Sequence, residues 1–209
     1  MTSDYKLVAR DIACQRGGRM VYEKLCLEVA AGQALILTGA NGAGKSSLLR
    51  QIAGLLEFEV GLLELEAGDP DKSIAEQSHY VGHLDALKPS MSVQETLQFW
   101  ARYLGGKGDD ATLSHALESF ALASLAEMPV AYLSAGQRRR LSLARLLVVS
   151  RPLWLLDEPT VALDAASVAR LQGVMIHHLS TGGLIIAATH LDLGLPDAKE
   201  LRLGAGGGR

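Results

Sequence analysis

Short apolar runs alternate along the chain with stretches in which apolar residues recur at helical spacing. The runs at residues 34–38, 153–156 and 184–188 predict strands buried in a parallel sheet. Two helical patterns follow the first and second of these runs, and their apolar positions are Leu48, Leu49, Ile52 and Leu55, then Val168, Leu171, Met175 and Leu179. This alternation predicts an α/β fold built on a mostly parallel sheet.

The rest of the pattern adds an antiparallel part and a helical insertion. Residues 6–10 and 25–30 predict two strands joined by a basic turn at 15–19, and residues 62–66 and 80–82 predict two more. Helices are predicted to begin at the capping box of Ser92 with Glu95, near residue 113, and after residue 137, the last of them running to about Val149. The predicted division is therefore a core of residues 1–84 and 149–203, a helical subdomain of residues 85–148, and a tail of residues 204–209.

A glycine loop stands between the first buried strand and the helix that follows it. Its spacing, G-x-x-x-x-G-K-S, is that of a phosphate-binding loop, in which backbone N–H groups and a helix N-terminus face a polyanion. Lys45 can reach the β- and γ-phosphates, and the Ser46 hydroxyl can bind Mg²⁺. The candidate ATP-binding residues of this loop are Gly39, Ala40, Asn41, Gly42, Ala43, Gly44, Lys45, Ser46 and Ser47. The alternative is a plain glycine turn, which the strand and helix on either side disfavour.

Polar residues follow two other predicted strands. Asp157 and Glu158 come after the run 153–156, and His190 follows the run 184–188. Ligands of parallel sheets lie at the carboxyl ends of the strands, so Asp157 can hold Mg²⁺ and Glu158 can polarise an attacking water. His190 can hydrogen-bond the γ-phosphate or that water. Taken singly, a strand-ending Asp can be a cap and a lone His can be structural; their combination with the loop favours catalysis.

Residues 133–137, here called the signature segment, begin a further helix. Ser134 and Gln137 have capping-box spacing, which an ordinary helix start also shows, and a helix N-terminus with Gly136 beside it is an anion site. A helix of about 15 residues is about 22 Å long, and its far end leads into the strand of Asp157. The signature segment is therefore expected to meet a γ-phosphate only in trans, on a second chain. The residues expected to do so are Ser134, Ala135, Gly136 and Gln137.

Composition narrows the classes of partner. The formal net charge of −3 argues against a nucleic-acid-binding surface, and no nucleic-acid partner is expected. No run of 18 apolar residues occurs, so a membrane role would need another chain to supply the span. Cys14 and Cys26 lack the spacing of a metal or redox site, which favours a reducing cytosol.

Over nearly its whole length the chain resembles the ATP-binding cassette (ABC) family. The matching stretches are the phosphate loop 39–46, the signature segment, residues 153–158, residues 162–164, and His190. The resemblance implies an ATPase with a RecA-like core and a helical subdomain, acting as a homodimer that sandwiches ATP. It also implies that Glu158 is the catalytic base, that Lys45 and His190 assist it, and that Asp164 lies in the loop linking the two sites.

Two positions depart from the family pattern. Arg16 stands where an aromatic residue usually stacks on adenine, and a guanidinium plane can stack on a base as well. His83 stands where a Gln usually contacts Mg²⁺ and couples to the membrane subunit, so His83 is a candidate metal contact.

Residues 80–83, the compact length and the Ser-Ala-Gly-Gln signature are similar to the ATP-binding subunits of cytochrome c maturation (haem exporter) systems. That resemblance implies a peripheral protein on the cytoplasmic face of the bacterial inner membrane, with a CcmB-like membrane subunit and other cytochrome c maturation proteins as partners. It implies haem export or release of a loaded haem chaperone. No Cys-x-x-Cys-His occurs, so haem is not expected to bind directly.

Other classes of protein fit less well. The ATPase subunit of another small ABC exporter stays open as an alternative, as does a soluble ABC ATPase, although the latter usually needs a second cassette or long inserts. A P-loop kinase would lack the signature segment, and a GTPase would carry a guanine-reading motif. A non-catalytic scaffold is disfavoured by the intact Lys45, Asp157, Glu158 and His190.

Overall fold

The computed structural model describes residues 4–58 and 60–204 of the 209-residue chain. Within them two sheets form. One is a three-stranded antiparallel sheet and the other a five-stranded parallel sheet, which confirms the predicted fold class. The predicted tail lies outside the described residues from residue 205 onward.

The antiparallel sheet has the strand order β2-β1-β4. Its strands are β1 (Lys6–Arg16), β2 (Arg19–Ala30) and β4 (Leu62–Glu66). The first two are longer than predicted, because Gly17 and Gly18 both take positive φ and close a two-residue hairpin, whose backbone twist matches that of the flanking strands. The turn predicted at 15–19 is thus shorter, and Arg16 pairs with Arg19 across it.

The parallel sheet has the strand order β5-β6-β7-β3-β8. Its strands are β3 (Ala34–Thr38), β5 (Ser78–Val81), β6 (Leu153–Asp157), β7 (Leu184–Ala188) and β8 (Lys199–Arg202). Every residue of β6 and β7 is buried, as expected for apolar strands covered on both faces. The exposed, mostly polar edge strand β8 was not predicted, because it lacks an apolar run.

Five α-helices accompany the strands in the described chain. They are α1 (Lys45–Ile52), α2 (Val93–Tyr103), α3 (Asp110–Ser119), α4 (Ala135–Ala144) and α5 (Ala165–Ser180). The capping box of Ser92 with Glu95 at the start of α2 is confirmed. The structure corrects the position of Leu55, which lies beyond the end of α1 and is exposed rather than on a buried helix face.

The predicted extent of the fourth helix was also wrong. Helix α4 ends at Ala144, and a 3₁₀ helix, Arg145–Leu147, takes its place before the chain reaches β6. A tighter last turn of this kind is common at helix ends. The ten-residue α-helix is about 15 Å long and the 3₁₀ turn adds about 6 Å. Together they come close to the predicted length of about 22 Å.

The chain divides into two compact units. Of the described residues, the first contains 4–58, 60–82, 151–159 and 175–204, and the second contains 83–150 and 160–174. In the first unit, both sheets and α1 share one hydrophobic core, which includes Leu37, Leu48 and Leu155. In the second unit α2, α3 and α4 pack on one another through buried side chains such as Leu97 and Phe120.

Strand β6, which leads to Asp157, is backed by a stacked pair of rings. The Trp154 and His178 rings lie 3.8 Å apart between centroids at an angle of 6°. The His178 Nε2 atom is 3.2 Å from the Pro152 carbonyl oxygen, and burial lowers the pKa of His178 to about 4. At neutral pH this imidazole is therefore uncharged and serves as part of the core.

Candidate nucleotide-binding and hydrolysis site

The phosphate loop follows β3 directly, and its shape depends on glycine. Gly39, Gly42 and Gly44 have φ values of 130°, 79° and 101°, a region that side-chain-bearing residues rarely adopt. A Cβ atom on Gly39 would lie 2.1 Å from the Leu203 carbonyl oxygen, and one on Gly44 would lie 2.4 Å from Val21 Cγ1. At both positions glycine is required by backbone conformation and by close neighbours.

The loop ends at the N-terminus of α1, which is open to an anion. Its first turn has no acidic residue, and its N-cap, Gly44, offers no side-chain hydrogen bond. The first N–H groups of a helix lack partners within the helix and carry the positive end of its dipole. They are therefore available to phosphate oxygens.

Lys45 and Ser46 begin this helix. The Lys45 side chain is buried along the loop, and its Nζ donates to the carbonyl oxygens of Gly39, at 2.7 Å, and Ala40, at 3.2 Å. The Ser46 hydroxyl donates to Asp157 Oδ1 at 3.0 Å. Asp157 is only 3% exposed, so this hydrogen bond joins a buried carboxylate at the end of β6 to the phosphate loop.

Glu158, next along the chain, has the left-handed φ of 47°, which costs a non-glycine residue about 1–3 kcal/mol. Its N–H donates to the Ala188 carbonyl oxygen of β7 at 2.8 Å, which helps to hold this conformation. Its Oε1 lies 3.8 Å from His190 Nε2, and both side chains reach solvent. The first unit thus brings together the phosphate loop, Asp157, Glu158 and His190.

Two side chains that the sequence did not single out join the β1–β2 hairpin to α1. The Tyr22 hydroxyl donates to Gln51 Oε1, and Gln51 Nε2 donates to the carbonyl oxygens of Ala13 and Glu57 at 3.0 and 3.1 Å. Burial raises the pKa of Tyr22, so the hydroxyl stays protonated as a donor. Arg16 lies exposed at the end of this hairpin. Nothing in the local pattern marks Tyr22 or Gln51, because both are single polar residues on apolar faces.

In the second unit, the signature segment forms the N-terminus of α4. Gln137 N–H donates to Ser134 Oγ at 3.2 Å, and Ser134 N–H donates to Gln137 Oε1 at 2.8 Å, which confirms the capping box. A Cβ on Gly136 would lie 2.9 Å from the Ala162 carbonyl oxygen. Glycine therefore lets the start of α4 lie against the loop that carries residues 162–164.

Asp164 in that loop caps α5. Its Oδ1 accepts from the Ser167 N–H at 2.8 Å, and the hydrogen bonds from Ser167 lower the pKa of Asp164. This geometry is that of a helix N-cap. The role of Asp164 in linking two sites stays a prediction, as does the role of the signature segment.

His83 is exposed and follows the end of β5. In the first unit, the Tyr80 ring folds back over Gly82, where a Cβ would lie 3.0 Å from the Tyr80 hydroxyl oxygen. Arg50 Nε of α1 donates to that hydroxyl at 3.3 Å. The chain is thus held in place up to Gly82, and the part of His83 in metal binding stays a prediction.

The donor set of the site suits Mg²⁺ held largely by nucleotide. Throughout residues 4–58 and 60–204, no group of three or more His, Cys, Asp or Glu side chains is arranged to hold a metal ion. Ser46 Oγ and Asp157 Oδ1 lie together and are both oxygen donors, which Mg²⁺ prefers. Mg²⁺ commonly takes one or two protein ligands and completes its shell with phosphates and water.

Similarity to known proteins extends over most of the chain. Residues 22–161 match the family model described as ABC transporter. A "Cytochrome c biogenesis ATP-binding export protein CcmA" of Rhodopseudomonas palustris (strain BisB5) is 57% identical over 95% of this chain and 98% of its own length. The protein of the same name in Bradyrhizobium diazoefficiens is 54% identical, also over 95% and 98%.

The fold has solved counterparts as well. A putative ABC transporter ATP-binding protein from Pyrococcus furiosus superposes with a TM-score of 0.83 at 26% identity, covering 95% of this chain and 97% of that one. Among residues 4–58 and 60–204, no helix has both the length and the apolarity needed to cross a lipid bilayer.

Proposed function

The chain belongs to the ABC transporter family of ATP-binding subunits, and from this premise we propose that it is the ATPase motor of a membrane complex for cytochrome c maturation. Membership of this family implies ATP binding and ATPase activity. The observation that supports the proposal best is the cluster at the end of β6. There Asp157 bonds to Ser46 of the phosphate loop and Glu158 lies beside His190.

ATP is proposed to bind with its phosphates in the loop 39–46. Lys45 Nζ would exchange the carbonyl oxygens of Gly39 and Ala40 for β- and γ-phosphate oxygens, and the open N–H groups of α1 would hold the rest of the charge. Ser46 and Asp157 would hold Mg²⁺, which supplies positive charge against the phosphates. Arg16, at the hairpin end, would stack on the base.

Glu158 is proposed as the general base. Its carboxylate would take a proton from a water that attacks the γ-phosphorus, while the bond to the β–γ bridging oxygen breaks and ADP leaves. The side chain is partly exposed, so water can reach it, and Glu158 directly follows the buried Asp157 in the chain. His190 would hydrogen-bond the γ-phosphate or the attacking water, 3.8 Å from the Glu158 carboxylate.

The active form is proposed to be a homodimer with two ATP molecules between the chains. The capped N-terminus of α4, with Gly136 close to the next loop, would present N–H groups to the γ-phosphate held by the other chain. Asp164 would lie in the path between the two sites. We propose that the surface with the phosphate loop belongs to the core of residues 1–84 and 149–203. The surface with the signature segment would belong to the helical residues 85–148.

Mixing two inactive variants tests this arrangement. Gly136→Asp puts a carboxylate in the proposed signature site, and Lys45→Ala removes the phosphate-binding charge. Each variant alone should hydrolyse little ATP, whereas a mixed dimer has one site with both lesions and one with neither. An equimolar mixture should therefore recover about a quarter of wild-type activity if chains pair at random and the sites fire independently. A Ser134→Cys/Ala40→Cys chain that forms crosslinks within one chain and never between chains would contradict the proposal.

The partner is proposed to be a CcmB-like membrane subunit on the cytoplasmic face of a bacterial inner membrane. This rests on relatives named as cytochrome c biogenesis export proteins, at 57% and 54% identity over nearly the full chain. The work done is proposed to be haem export or release of a loaded haem chaperone, without haem binding to this chain. His83 is proposed to sense the nucleotide's metal and the membrane subunit.

Complementation in a cell that lacks the native ATPase of its cytochrome c maturation system tests this partner. The wild-type chain should restore haem-stained c-type cytochromes and should co-purify with the membrane subunit. Glu158→Gln should co-purify equally well and restore none, since it removes only the base. Normal b-type cytochromes in all strains are the control. Co-purification with an unrelated transporter, and no recovery of c-type cytochromes by the wild type, would indicate another small ABC exporter.

A further inference from the structure

Three consecutive arginines follow the signature segment on α4, and each has a different partner. Arg138 Nη1 donates to the Leu133 carbonyl oxygen within the segment itself. Arg140 Nη1 donates to the carbonyl oxygens of Phe120 and Ala121, just after the end of α3, at 2.9 and 3.0 Å. Arg139 instead pairs with a carboxylate 54 positions away in the chain, Asp85, with 3.2 Å between Nη1 and Oδ1.

The Arg139–Asp85 pair is sheltered from water. Arg139 is 3% exposed, and the Asp85 side chain is 26% exposed. A guanidinium at this depth keeps its charge, so it needs a hydrogen-bonded anion close by. Removing the Asp85 charge takes away the carboxylate that pairs with this buried guanidinium, whereas removing both charges together is often tolerated. The pair is therefore a strong constraint on the distance between its two elements.

Asp85 lies in the connection of residues 83–88, which has no helix or strand. His83 and Leu84 in this connection are exposed, and Ala86 has a left-handed φ of 51°. Connecting segments are more mobile than the elements they join, so a side-chain contact to a helix can set their position. The ion pair fixes one point of the connection to α4, five residues after the N-cap Ser134.

We propose that Asp85 is a positioning residue that, through Arg139, holds the signature segment where hydrolysis needs it and passes movements of the 83–88 connection to that segment. The proposal rests on the proposed function of residues 134–137 in trans. Both ends of the link belong to the second compact unit. The phosphate loop belongs to the first unit, so nucleotide binding there should not depend on the pair.

Hydrogen exchange of the isolated chain tests the mechanical part without any need for ATP. Asp85→Asn should speed exchange of the amides of residues 137–141 about tenfold or more, because an anchor of α4 is weakened. The double variant Asp85→Asn/Arg139→Gln lacks both charges of the pair and also lacks the link, so it should regain thermal stability while amide exchange stays fast. Asp69→Asn is the matched control, since it breaks an exposed ion pair in which Asp69 Oδ2 lies 2.7 Å from Lys72 Nζ. Wild-type exchange in a folded Asp85→Asn chain would overturn the proposal.

Steady-state kinetics of the same variants test the functional part. Asp85→Asn should lower kcat about tenfold while KM for ATP stays within about twofold, and the double variant, which also lacks the link, should keep a kcat within about threefold of that lowered value. If the pair only stabilised the fold, kcat would fall in proportion to the melting curve and would recover in the double variant, in which the arginine charge is removed as well. A kcat that stays at the wild-type level in Asp85→Asn, or that recovers in the double variant, would overturn the proposal. Failure of the proposed function is read from a different variant, Glu158→Gln, so the two failures are distinguishable.

Discussion

Steady-state ATP hydrolysis should fall by about a hundredfold to ten-thousandfold in Glu158→Gln, the range expected for loss of a general base. Gln keeps the length and shape of the side chain but has no basic oxygen at neutral pH. The left-handed φ of 47° and the N–H bond to Ala188 involve the backbone and should survive. ATP binding should therefore stay within about threefold of wild type, because the phosphate loop is unchanged.

The measurement pairs phosphate release with equilibrium binding of a labelled ATP analogue. Glu64→Gln, at an exposed position of strand β4, changes the same type of side chain away from the site and should behave as wild type. We also expect ATP and the dimer to accumulate together in Glu158→Gln, visible by size-exclusion chromatography with ATP present. Turnover at the wild-type rate in this variant would remove Glu158 from the role of base.

Lys45→Ala should fail one step earlier, at binding. The Lys45 ammonium lies within the phosphate loop, where it donates to the carbonyl oxygens of Gly39 and Ala40. Its loss removes a charge that would otherwise face the β- and γ-phosphates. A charge-assisted contact of this kind is worth about 2–3 kcal/mol or more, so Kd for ATP should rise at least about thirtyfold to a hundredfold.

The control for this experiment is Lys72→Ala, which removes an exposed lysine from a surface ion pair. Thermal unfolding of Lys45→Ala separates a local effect from a damaged loop, since a folded chain with weak binding fits the loss of charge. A folded Lys45→Ala chain that binds ATP as tightly as the wild type would mean that the phosphates bind elsewhere. Lys45→Ala and Glu158→Gln thus separate two steps of the reaction, because the first blocks ATP binding and the second blocks only the chemical step.

Features that depend on neighbouring residues in the chain were predictable. The glycine spacing and Lys45 follow from the local demand for positive φ and for N–H groups at a helix start. The strands β4 and β7 have the predicted bounds, and β6 extends one residue further, to Asp157. Strand β7 is apolar and buried at every position, so the first polar residue after it marks its end.

Element ends that depend on distant packing were predicted less well. The β1–β2 hairpin is longer than its apolar pattern, because paired strands extend by backbone hydrogen bonds whatever their side chains are. Strand β8 pairs with β3 although its sequence, KELR, has no strand pattern. Helix α4 gives way to a 3₁₀ turn where Arg145 lies over the Trp100 ring, 4.8 Å from its centroid.

By itself, the sequence determined the fold class and the phosphate loop, because backbone geometry and hydrophobic period act over a few residues. Only the tertiary structure decided which distant groups meet. It placed Leu203 where a Cβ on Gly39 would clash, and it joined Tyr22 to Gln51 and Asp85 to Arg139. Such pairs are separated by tens of residues, and packing of whole elements sets their distance, so no local pattern encodes them.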